Sequence, residues 1–372
     1  MVSISDYIDK IPDPRANQGK KHELSAIIML VLYGIIVGAK NWIEIQFICD
    51  AKADDLKNFM PLKNGIPSHD TFQRVFAKLD PTILNDILTL WAEKLVAGIK
   101  EKHITLDGKT LRSSYDTASN TSAVHTLNAF VSNTLTVLRQ EIGYKKDSEI
   151  TMIPLLLKAI DLKGSIVTID AIGCQKKILK QIRESKADYI ISLKANQPNL
   201  FNEVKAHFEA AEKDTTITKG YDVYQSLDAG HGRIENWSYF CLDAKYFPLE
   251  FGKGFTDIKT IIQATRVREI NGKQSVEKSY YVSSLPCVAE KIGKTIRAHW
   301  AIENSLHHVL DVIYDEDKNR TRKNHAPANL SLIKKLGISL INHYNVKKLP
   351  HTRVHLLALM KPKEAEKIIF CR

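Results

Sequence analysis

Ile104-Thr105-Leu106-Asp107-Gly108-Lys109 and Ile166-Val167-Thr168-Ile169-Asp170 decide how this chain folds, because each is a short β-branched run that leads into a carboxylate. Branched side chains pack well on a pleated surface, so both runs read as strands closed by Asp107 and Asp170. A third acid, Glu303, lies in the helix-like His299-Trp300-Ala301-Ile302-Glu303-Asn304. Acids on strand, strand and helix are the parts of a two-metal phosphoryl-transfer site. Unit charges about 4 Å apart repel by roughly 4 kcal/mol at an effective dielectric of 20, so three clustered carboxylates call for divalent cations between them.

Outward from these runs, Val124 to Val131 and Thr134 to Ile142 add two strands, separated by Ser, Asn and Thr of turn type. Ser148 to Leu162 reads as a helix, Gln175 to Lys186 as another, and Asp188 to Leu193 as a fifth strand. Three antiparallel strands followed by helix-linked strands predict an α/β fold: a mixed five-stranded sheet, first and fourth strands adjacent, helices on both faces. A helix from about Pro198 to Glu212 precedes a β-rich insertion from about Thr215 to Ser284. A long helix then runs from near Glu290 to about Asp315, and a second, Ala328 to Tyr344, places Leu330, Ile333, Gly337, Leu340 and Ile341 on one face. The expected division is 1–98, an N-terminal helical domain; 99–213, the first part of the core; 214–288, the insertion; and 289–372, the helices that complete the core.

The 372 residues are 44% hydrophobic, enough for two or three domains with buried cores. Lys and Arg outnumber Asp and Glu by 53 to 42, which suits a polyanionic partner but is equally a soluble surface. Five scattered cysteines without a C-x-x-C pair indicate neither a disulfide framework nor a zinc ribbon, and fit a reducing cytoplasm. Met1 to Arg15 has no signal-type apolar core, so secretion is not expected. Leu24 to Ala39 falls short of the ~20 residues needed to cross a bilayer and reads as a buried helix, so no membrane association is expected.

Taken alone, each acid has a plain explanation. Asp107-Gly108 is a hairpin-turn signal, Asp170 ends a strand, and Glu303 is a surface Glu. Ser68 caps a helix whose Phe72, Val75, Phe76 and Leu79 form an apolar stripe, leaving His69, Gln73, Arg74 and Lys78 outside. That outer face suits a DNA groove or simply solvent.

The runs around Asp107, Asp170 and Glu303 resemble bacterial insertion-sequence DDE transposases, most closely the H-repeat-associated subgroup. The likeness extends to Asp13-Pro14-Arg15, Pro67-Ser68-His69-Asp70-Thr71-Phe72, Leu193-Lys194-Ala195-Asn196-Gln197, Gly230-His231-Gly232-Arg233 and Leu310-Asp311-Val312, so it spans nearly the whole chain. The resemblance implies an RNase H-like core, Asp107, Asp170 and Glu303 as catalytic metal-binding acids, and two Mg²⁺ ions for which Mn²⁺ substitutes. It also implies double-stranded DNA as partner, at element ends and at the target, bound by a homodimer in a cytoplasmic, nucleoid-associated setting. The wider group's Tyr, Arg, Glu, Lys signature falls here on Ile296, His299, Glu303 and Leu310, which leaves its phosphate-clamping roles unassigned.

At 100° per residue, Arg297, Asn304, His308, Asp311 and Asp315 form one polar stripe beside Glu303. Arg297 and Asn304 are expected near the DNA, as are Lys194 after the last core strand and the loop residues Arg320, Arg322 and Lys323. The rival readings are a stand-alone nuclease of the same fold and a catalytically silent DNA-binding protein.

Overall fold

Every residue of Ile166–Ile169 is apolar or β-branched and every one is buried, as a parallel strand covered on both faces requires. In this computed structural model, residues 3–17, 20–116, 120–143, 149–213, 221–230, 233–246, 249–345 and 348–371 are described. Among them the strands are β1 (His103–Thr110), β2 (His125–Val131), β3 (Thr136–Gly143), β4 (Ile166–Ile169), β5 (Asp188–Leu193), β6 (Tyr221–Gly230), β7 (Arg233–Asp243), β8 (Thr260–Ile270) and β9 (Lys273–Ser283). Their hydrogen-bonding order is β3-β2-β1-β4-β5-β9-β8-β7-β6.

The expected core order β3-β2-β1-β4-β5 is present, with β1 parallel to β4 and β4 parallel to β5. Among the described residues the sheet nevertheless has nine strands, not five. A bare β5 edge would leave a row of unpaired N–H and C=O groups. Instead β9 pairs antiparallel with β5 from Ile190↔Ser283 to Leu193↔Tyr280, and β8, β7 and β6 follow. The insertion therefore extends the core sheet. Of Gly230-His231-Gly232-Arg233 in the insertion, His231 and Gly232 lie outside the described residues, as do Ser148 and Thr215.

The chain divides into two compact units: residues 1–99, 108–160 and 301–372, and residues 100–107 and 161–300. In the second, Trp237, Tyr239, Cys241, Ile262 and Ala264 of the extended sheet pack under the helix Ala289–His299 through Ile292 and Ile296. In the first, the helix Leu24–Ile36 is buried at every position but Ser25, as its unbroken apolar run predicts. It packs on the helix Ala326–Tyr344, where Gly337 lets the two backbones close in: a Cβ there would lie 2.8 Å from Ile35. The second helix is not amphipathic as expected. It is buried all round from Ala326 to Ile341, Lys334 and Lys335 included. Among the described residues no helix is long and apolar enough to cross a membrane.

Two local expectations change. Asp107-Gly108 is no turn, because β1 runs unbroken to Thr110. The glycine answers a close approach instead: a Cβ on Gly108 would lie 2.9 Å from His125 Nε2 and closer still to Glu149 Oε1. The long helix from Glu290 to Asp315 is also not continuous. Its α-helical part ends at His299, and π-helical turns follow at Glu303–His307 and Val309–Ile313.

Candidate active site

In the unit holding β4 and β5, Thr105 pairs with Thr168 and Leu106 with Ile169, so Asp107 continues β1 and Asp170 directly follows the end of β4. Side chains alternate across a sheet, which places Thr105 and Asp107 on one face of β1 and Thr168 on the same face of β4. The two buried threonine hydroxyls are 3.1 Å apart, and His299 Nδ1 lies 2.9 Å from Thr168 Oγ1. The end of helix Ala289–His299 is thus fixed over the face from which Asp107 projects. Asp107 is half-buried and Asp170 exposed.

Asp170 also caps the turn Ala171–Gly173, its Oδ1 accepting the Ile172 N–H at 3.1 Å. Asn196 Nδ2 donates to the Ala171 carbonyl at 2.6 Å and Gln197 Nε2 to that of Cys174 at 2.9 Å, which fastens the loop after β5 to the turn that Asp170 opens. Lys194 heads that loop, exposed, at the same sheet edge. Asn196 and Gln197 were visible in the sequence only as family-like texture, since nothing local marks an amide as a loop fastener.

In the other unit, Glu303 opens the first π turn and is 55% exposed; its carboxylate lies 3.4 Å from Nδ1 of the buried His307. No motif flagged His307. Gly108 and Lys109, the continuation of β1 past Asp107, are gripped on both sides. His125 Nε2 and Glu149 Oε1, 2.7 Å apart and buried, press on Gly108, while Thr110 Oγ1 holds His125 Nδ1 at 2.9 Å. Buried Lys109 donates to both oxygens of Asp311, at 2.6 and 2.7 Å.

The π turns overturn the single polar stripe, because i→i+5 bonding adds a residue to each turn and shifts every later side chain off the 100° spacing. Asp311 is bound to Lys109, Asp315 takes the left-handed region at φ 47° with Lys40 Nζ 2.6 Å away, and Asn304 and His308 are exposed. Arg297 is held within the insertion: it stacks 4.9 Å from the Trp237 ring centroid and donates to Asp228 at 2.8 Å. Arg320 and Lys323 are exposed, whereas Arg322 donates to the Ser113 carbonyl at 3.3 Å and covers the Tyr115 ring.

The helix His69–Lys78 forms as its sequence predicts, Ser68 capping the Thr71 N–H and Phe72, Val75 and Phe76 buried. His69 is bound to Gln46 through ring and backbone, Gln73 is half-buried, and Arg74 and Lys78 are exposed. Arg74 and Lys78 line a groove with Arg15, Lys20, Lys21 and His22. Burial, with Lys21 and Arg15 nearby, pushes the His22 imidazole pKa down. In turn Arg15 holds Asp13 at about 2, well below the usual carboxylate range. In the sequence Arg15 stands out only within the family-like Asp13-Pro14-Arg15, and Lys20-Lys21-His22 only as a local cluster of basic residues.

Residues 98–338 match the family described as Transposase DDE domain, and residues 5–92 the family described as DDE_Tnp_1-associated. YncI of Escherichia coli O157:H7 is 35% identical over 344 residues, covering 91% of this chain and 87% of that one. The H repeat-associated YhhI of Escherichia coli (strain K12) is 33% identical over 350 residues, covering 93% and 92%. A solved piggyBac transposase synaptic complex with hairpin DNA aligns with a TM-score of 0.44 at 12% identity, over 98% of this chain and 76% of that one.

Proposed function

The chain belongs to the DDE transposase family, among the H repeat-associated proteins, and from that premise we propose that it cuts DNA at insertion-sequence ends and joins it to a target. Asp107, Asp170 and Glu303 hold the catalytic ions, with His307 beside Glu303. The observation that supports this reading is the β1–β4 register, which pairs Leu106 with Ile169 so that Asp107 and Asp170 each follow next in the chain, just past the Thr105, Thr168 and His299 latch. Carboxylates at the end of a strand and at the turn after its neighbour offer hard oxygen donors, the kind that suit Mg²⁺ and accept Mn²⁺. Bound there, such ions supply activation of a water or a DNA 3′-hydroxyl and stabilisation of the leaving oxygen.

The protein's own groups do the rest. His299, fixed by Thr168, holds the end of the helix Ala289–His299 over the face from which Asp107 projects. Lys194 holds a phosphate at the sheet edge, and the Arg15, Lys20, Lys21, Arg74 and Lys78 groove takes a duplex backbone. The N-terminal helices 1–98 act as the DNA-engaging region, and a homodimer brings two element ends together.

Cleavage of DNA bearing the element's ends, with Mg²⁺ or Mn²⁺ and with chelator, tests the proposal. Asp107→Asn is expected to abolish cleavage while leaving DNA binding intact or slightly tighter, since an anion facing phosphate is removed. Undiminished cleavage by that variant refutes the assignment of Asp107.

A further inference from the structure

We propose that Lys109 and Asp311 form a positioning clamp that fixes the direction of Glu303, an inference that rests on the metal-holding role given to Glu303 above. Lys109 is 8% exposed, and its ammonium meets both Asp311 oxygens, with Asp317 at 3.7 Å. A buried ammonium needs such partners, and removing one leaves the other stranded. Asp311 lies in the π turn Val309–Ile313, directly after the turn that Glu303 opens.

π turns are rare because α-helical bonding is the better default, and they persist where something outside the helix holds them. Here the far end is held four times over. Lys109 binds Asp311, Lys334 Nζ donates to the Tyr314 carbonyl at 3.2 Å, Lys40 binds Asp315, and Arg112 Nε is 3.3 Å from Asp317. Lys109 is the anchor nearest to Glu303 along the segment, and it sits on β1 two residues past Asp107. Without it, one π turn relaxes to α and Glu303 swings by about 100° relative to Asp311, the step of one helical residue. The direction that the clamp gives the Glu303 carboxylate is then lost.

The test is Mn²⁺ binding to the full-length protein without DNA, followed by electron paramagnetic resonance, beside DNA affinity measured in chelator. Lys109→Met and Asp311→Asn are each expected to weaken Mn²⁺ binding by roughly 10–100-fold, the usual cost of losing a group that orients a ligand. DNA affinity stays unchanged, the double variant is no worse than the worse single one, and Lys109→Arg restores most of the binding. Should Lys109→Met fail to fold, Asp311→Asn, which keeps the side chain's shape, carries the test. Mn²⁺ binding within twofold of wild type in Asp311→Asn, while Asp107→Asn has lost it, overturns the clamp and spares the metal site. Absence of Mn²⁺ binding in the wild type overturns the metal site, and the clamp falls with it.

Discussion

Gly108→Ala should unfold the protein at markedly lower temperature, although Gly→Ala within a regular element is ordinarily favourable. Restricting the unfolded chain gains about 0.4–1 kcal/mol. Against that, the new methyl would sit 2.9 Å from His125 Nε2 and from Glu149 Cδ, and nearer to Glu149 Oε1, with both side chains buried. Neither can retreat without opening the 2.7 Å contact between them. Overpacking of this kind costs about 1–3 kcal/mol, and a weakened buried hydrogen bond to a charged group about 1.5–3 kcal/mol. The net loss is about 2–5 kcal/mol, a large share of the roughly 5–15 kcal/mol by which proteins are stable. Thermal unfolding followed by circular dichroism should show a midpoint lowered by roughly 3–6 °C. Glu149→Ala in the same chain removes the clashing group, so the double variant should be more stable than the sum of the two single effects. A Gly108→Ala midpoint within a degree of wild type would show that the strand is not packed as described.

Lys78→Ala and Arg74→Ala should each weaken DNA binding uniformly across sequences and flatten the log–log salt dependence by about 0.9 for each phosphate left unneutralised; an unchanged slope in titrations across salt returns that face to solvent. Lys335 donates to Thr126 Oγ1 and Gln140 Oε1, and burial pushes its ammonium pKa down to about 7. The unfolded chain, with a lysine pKa near 10.4, holds more protons between those values, so this residue adds stability as pH rises from about 7 to about 10 and loses it as pH falls back. Buried tyrosines and cysteines with raised pKa values, Tyr239 and Cys241 among them, bend the raw curve the opposite way. The readout is therefore the difference in urea stability between wild type and Lys335→Met, which should grow by on the order of 3 kcal/mol between pH 7 and pH 9.5. A difference that stays flat over that range refutes the assignment.

What could be read from the sequence was whatever local pattern alone dictates. The apolar run Leu24–Ile36 has no polar face to expose, and the Ser68 cap with its Phe72, Val75 and Phe76 stripe defines a helix without help from the rest of the chain. The β1–β4 pairing followed from helix-linked strands needing parallel crossovers. Features set by distant packing were not legible. Asp107-Gly108 carries turn chemistry, yet the pressure of His125 and Glu149 fixes it as strand. The π turns after Trp300 depend on lysines far away in sequence, so a 3.6-residue period could not announce them. Lys334 and Lys335 broke an apolar face that the chain nonetheless buries, and the β9–β5 pairing rests on backbone groups that carry no side-chain code.

The return of β9 to the β5 edge makes the β6–β9 arm indispensable in one direction and adjustable in the other. Trimming it away would unzip a seam and bare a sticky margin of the core, inviting chain-to-chain stacking. Lengthening it costs little. The tip at Asn271-Gly272, both at positive φ as a tight two-residue hairpin demands, can be moved outward by adding matched pairs to β8 and β9. Kin of this protein should therefore differ in the reach of that arm far more than in its root.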